Sequence, residues 1–138
     1  MKVSLIAWKE NSFDLFAPLS VCLSKRISGL ELEERFVPFL EDFPIVAQEC
    51  SKDSDFIFVF ALVDDEVDIR LVKEKLIDVE LKNGVRIFKA IEKDTISGFD
   101  EEEFLESKNE LVEYYCDIIV SILFNERAFV PEEKDFGL

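Results

Sequence analysis

The stretch that most constrains this chain is residues 56–63, FIFVFALV, eight apolar residues in a row. A strand with one wet face alternates between apolar and polar positions. A strand that is apolar throughout is buried on both faces, as happens in the middle of a parallel sheet with helices on either side. Parallel neighbours cannot be joined by a tight turn, and each connection needs a crossover of a dozen or more residues, usually a helix. The rest of the chain should therefore alternate strands with amphipathic helices.

The pattern elsewhere meets that demand. Residues 3–8 (VSLIAW) form a short buried strand, broken by Asn11-Ser12. Leu15, Phe16, Leu19, Cys22, Leu23 and Ile27 then recur at helical spacing over 14–27. Pro18 is tolerable only near that helix's start, and Ser28-Gly29 stops it. Residues 32–39 (LEERFVPF) form a second strand, where Pro38 marks an edge or a terminus. Asp42 is positioned to cap a short helix carrying Pro44 in its first turn and Ile45, Val46, Ala47 and Cys50 on its buried face. After the apolar octet, Asp64-Asp65-Glu66 open a helix through Ile69, Val72, Leu76 and Val79 that ends at Asn83-Gly84. Residues 85–91 (VRIFKAI) supply a fourth strand. Asp100 with Glu103 makes a capping box for a long helix through Ile122. The tail over 127–138 carries Pro131, acidic residues and Phe136, and is expected to lie over another surface.

The order β-α-β-α-β-α-β-α predicts an α/β chain, a three-layer sandwich of four parallel strands with helices on both faces. With 138 residues, 49% of them hydrophobic, residues 1–138 are expected to form a single domain around one sheet. No repeat or low-complexity segment interrupts it.

Charge and composition narrow the function. The net charge of −15 repels nucleic acid and anionic membranes, and fits a solubilising surface such as a hot or salty habitat favours. The chain has no His, which removes Ser-His and Cys-His dyads and His-ligated zinc or iron. Acid–base work must fall to Asp, Glu, Lys, Tyr, Cys or the substrate. Cys22, Cys50 and Cys116 lie far apart in apolar helical stretches and form no CxxC pair, so they are expected as buried, reduced thiols. Met1-Lys2-Val3 leads directly into a strand, and no apolar run is long enough to span a bilayer. A cytoplasmic protein without membrane partner is expected.

In parallel sheets of this kind ligands bind at the carboxyl ends of the strands, which singles out the loops over 8–13, 37–42, 63–66 and 91–98. None is Gly-rich, so neither a dinucleotide fingerprint nor a P-loop is present. Trp8, with Phe13 close by, could stack a planar ring or simply close the core. Asp64-Asp65-Glu66 could offer oxygen to a divalent cation, but first-turn helix residues explain them better, and no metal site is assigned.

The segment Val37-Pro38-Phe39-Leu40-Glu41-Asp42-Phe43-Pro44-Ile45-Val46-Ala47 resembles the V-P-x-x-x-[D/E]-apolar-P-apolar-x-A segment after the second strand in the lumazine synthase and archaeal riboflavin synthase family. The third strand ending in Ala61-Leu62, the first loop with Asn11-Ser12-Phe13, and Leu123-Phe124 before a charged tail are similar to that family as well. The resemblance implies a flavodoxin-like four-stranded sandwich, assembly into pentamers or their multiples, and a pteridine or flavin ligand held without a further cofactor. Two departures are specific. Phe39 stands where the family usually has Gly, and the third loop is acidic where lumazine synthases carry a basic, His-containing phosphate loop. The acidic third loop points away from lumazine synthase and leaves a divergent riboflavin synthase, which passes a four-carbon unit between two lumazines, whereas both departures motivate a non-catalytic reading. A non-catalytic member that binds the ring or acts as an oligomeric scaffold is the alternative. The residues expected at the ring are Trp8, Asn11, Ser12, Phe13, Val37, Pro38, Phe39 and Leu40. Glu10, Asp65, Glu66 and Lys93 are the acid–base candidates.

Overall fold

Phe56–Val63 forms the central strand, and all eight of its residues are buried. The computed structural model describes residues 1–64 and 66–124, and of residues 66–68 only the backbone. In chain order the elements are β1 (Lys2–Trp8), α1 (Phe16–Arg26), β2 (Glu31–Val37), α2 (Phe43–Cys50), β3 (Phe56–Val63), α3 (Glu66–Asn83), β4 (Arg86–Lys93) and α4 (Glu101–Phe124). The strands pair in parallel in the order β2-β1-β3-β4, with helices between them, an α/β sheet of flavodoxin-like type. The tail expected to cover a surface lies outside the described residues.

The alternation of β3 sorts the interior by side-chain type. Phe56, Phe58, Phe60 and Leu62 face α1 and α4, whereas Ile57, Val59, Ala61 and Val63 face α2 and α3. On the first side Phe58 stacks on Phe88 at 5.8 Å between ring centroids and meets Tyr115 edge-on at 5.2 Å. Each such ring contributes about 2–3 kcal/mol through burial alone. Burial holds the Tyr115 hydroxyl above its ordinary pKa, with Glu92 and Tyr114 adding to the effect.

Local chemistry fixes the element ends. Asp14 Oδ1 accepts the N–H groups of Phe16 at 3.0 Å and Ala17 at 3.4 Å, so α1 starts at Phe16 rather than at Asp14. Pro18 falls in its first turn, where no N–H is required. Beyond α1, Gly29 takes φ +73°, a left-handed turn that favours glycine. β2 was expected to run to Phe39 and stops at Val37, because Pro38 has no N–H to continue the ladder. Asp42 does not cap α2. A 3-10 turn, Leu40–Asp42, runs straight into the helix and leaves Asp42 in helical geometry at φ −81°, ψ −15°, with no cap bond from its side chain. Asp100 does cap α4, accepting the Glu103 N–H at 2.9 Å, and this bond holds its carboxyl below the ordinary range.

Among the described residues β4 is an edge strand, and an unpaired sheet edge is a template for a foreign strand. Glu80 of α3 covers part of that edge. Its Oε2 accepts the Ile87 N–H at 2.8 Å and its Oε1 pairs with Lys89 Nζ.

Candidate functional site

The crossover from β1 leads outward to β2, and the crossover from β3 leads the other way to β4. The carboxyl ends of β1 and β3 therefore flank the topological switch point, where sheets of this type usually open a crevice. Here that crevice is sealed by a side chain. β1 and β3 stay in register up to Ala7 and Phe60. Just beyond, Asn11 Nδ2 donates to Phe60 O at 3.2 Å and Asn11 Oδ1 accepts the Leu62 N–H at 2.8 Å. Its amide continues the β3 ladder where β1 has left it.

Open space lies on either side of this seal. The larger cleft, about 420 Å³, is lined by Trp8, Glu10, Pro38, Phe39, Leu40, Glu41, Leu71 and Val72. The Trp8 indole N–H donates to Pro38 O at 3.3 Å, and Lys9 N–H to Val37 O at 2.8 Å, so the ends of β1 and β2 are tied together beneath it. Among the described residues, the titratable side chains in its lining are two carboxylates, Glu10 and Glu41, with no lysine or arginine. The smaller hollow, about 230 Å³, is bounded by Ala7, Trp8, Lys9, Asn11, Phe13, Asp14, Leu15 and Phe36.

Trp8 and Phe13, expected as a pair, lie in different layers. Trp8 follows Ile6 onto the α2/α3 side. Phe13 packs on the α1/α4 side, edge-on to Phe104 at 5.6 Å and 5.9 Å from Phe60, with Lys108 Nζ 5.7 Å above its ring. They touch the same hollow but do not face each other across one ring site.

The other expected residues divide three ways. Glu10, Pro38, Phe39 and Leu40 join Trp8 in the larger cleft. Val37 is 1% exposed and belongs to the core, Asn11 is engaged with β3, and Ser12 is exposed on the loop. Lys93 is exposed at the end of β4, opposite Val63 in the register, and does not line either hollow. Asp65 lies outside the described residues, and Glu66 is described only as the first residue of α3.

Leu71, Val72 and Glu41 complete the cleft and were not anticipated. Leu71 carried a signal: it is apolar, yet it falls off the helical stripe of Ile69, Val72, Leu76 and Val79, and it is 55% exposed. Among the described residues no three His, Cys, Asp or Glu side chains gather to hold a metal ion, and no helix is long and apolar enough to cross a membrane. No family model matches the chain, and no curated protein matches its sequence.

Proposed function

We propose that this chain is a riboflavin-synthase-like protein whose larger cleft takes a lumazine or flavin ring against Trp8. The observation that carries this reading is where the most specific part of the resemblance falls. Pro38, Phe39, Leu40 and Glu41 line the cleft together with Trp8, Leu71 and Val72. A flat bicyclic ring suits an indole face and an aliphatic wall. The Glu10 and Glu41 carboxylates, with no cation in the lining among the described residues, favour an unphosphorylated ligand over a phosphate ester.

Catalysis would pass a four-carbon unit from one lumazine to another. Orientation of the two rings supplies much of such a reaction, and Glu10 is the acid–base candidate within the cleft. Phe39 and Leu71 stand 61% and 55% exposed at its rim, which supports burial by a second copy in a homo-oligomer, pentameric by the resemblance. A second reading, a non-catalytic member that binds the ring without turnover, draws support from Asn11 and Lys93. The one is engaged with β3 and the other lies away from the cleft.

Incubation with the lumazine separates the readings. Flavin absorbance that disappears in Glu10→Gln supports transfer. Quenching of Trp8 fluorescence without flavin supports binding alone. Neither signal at high protein concentration would refute both, and a strict monomer by native mass would refute the assembly.

A further inference from the structure

α1 and α4 pack against each other over the Phe-lined face of the sheet, and their seam contains a pair of thiols. Arg26 lies one helical turn beyond Cys22 on α1, so the two project from one face. The guanidinium reaches across to α4, where Nη1 stands 3.7 Å from Cys116 Sγ and pairs with the Asp117 carboxylate. Cys22 is carried toward the same seam, where it packs against the core cluster that contains Cys116. Cys116 is fully buried, whereas Cys22 is half-buried. Cys50, the third thiol, sits in the opposite layer on α2.

We propose that Cys22 and Cys116 form a dithiol that closes to a disulfide between α1 and α4 when the protein meets a peroxide. The two cysteines share one seam, Cys22 is the less buried of them, and a cation stands 3.7 Å from the Cys116 sulfur. Cys22 is the entry point. Its thiolate attacks the peroxide, an S–O bond forms, the O–O bond breaks, and the departing hydroxide leaves as water after taking a proton. Cys116 sulfur then attacks the Cys22 sulfenic acid. The S–S bond forms, the S–O bond breaks, and a second water carries off the oxygen. Two thiols lose two hydrogens and two electrons, and the peroxide is reduced to two waters. Burial pushes the Cys116 thiol up to about 12, and the neighbouring Cys22 acts in the same direction. Arg26 opposes that shift and so favours the Cys116 thiolate in the closing step. The bond would tie α1 to α4 late in the chain, and it reopens by thiol exchange.

The test is peptide mapping of the native protein after hydrogen peroxide treatment and alkylation. The expected result is a linked Cys22–Cys116 peptide pair lighter by two hydrogens, with Cys50 recovered as an alkylated thiol and the link lost in dithiothreitol. Arg26→Met should close several-fold more slowly to the same product, and Cys22→Ser should form no link within the chain. Wild-type Cys22 and Cys116 recovered separately, as thiols or as sulfinic acids, would overturn the proposal. So would a disulfide formed only between chains.

Discussion

Asn11 lies outside every strand, yet its amide replaces two rungs of main-chain hydrogen bonding at the end of β3. Asn11→Ala would leave Phe60 O and the Leu62 N–H without those partners in a partly buried place, at a cost of about 1–3 kcal/mol. Asn11→Asp keeps the acceptor for Leu62 but turns a carboxylate oxygen toward Phe60 O, so it should destabilise as well. Urea unfolding measures both, and an unchanged midpoint in Asn11→Ala would show that the seal is dispensable. The sequence made Asn11 visible as a strand breaker and a loop residue with hydrogen-bonding capacity. It could not name the partner, because that partner lies 49 residues along the chain. Trp8 was easier to place: strand alternation puts it on the Ile6 side. Phe13 follows the end of β1, where alternation no longer applies, and it turned to the other layer.

At the level of elements, the four strands and four helices follow from hydrophobic periodicity because burial imposes that periodicity. The strand ends were harder, since they depend on single residues such as Pro38, and the beginning of α2 was hardest. Asp42 has the composition of a cap, but the 3-10 turn ahead of it determines its backbone. The edge of the sheet was also illegible in the sequence. Glu80 resembles any solvated helix residue, whereas in the fold it holds the Ile87 N–H and Lys89 together. Glu80→Ala exposes that edge and should cost about 1–3 kcal/mol, with Glu80→Gln losing less because it retains an acceptor. Chemical denaturation reads the loss. A variant as stable as the parent would mean that water satisfies Ile87 equally well.

Over the whole molecule, the charge of −15 outweighs the local pairs. Ion pairs such as Lys2 with Asp53 and Arg35 with Glu49 are surface contacts worth little individually. Self-repulsion of the excess carboxylates acts over the entire surface and is screened within about 10 Å at 0.1 M salt. The melting temperature should therefore rise as sodium chloride is added, and a fall would show that the local pairs dominate. The cleft likewise joins segments far apart in the chain, since its lining runs from Trp8 to Val72. The seal made by Asn11 also has a consequence for the order of events during synthesis. A parallel sheet offers no hairpin from which to start, and non-local pairings of this kind form slowly. When Asn11 leaves the ribosome, its partner strand has not yet been translated, and the end of β1 must wait for Phe60 and Leu62 to arrive. That end of the sheet is thus completed only after β3, and a nascent chain stopped before it would present residues 38–41 without Leu71 and Val72, which line the cleft with them.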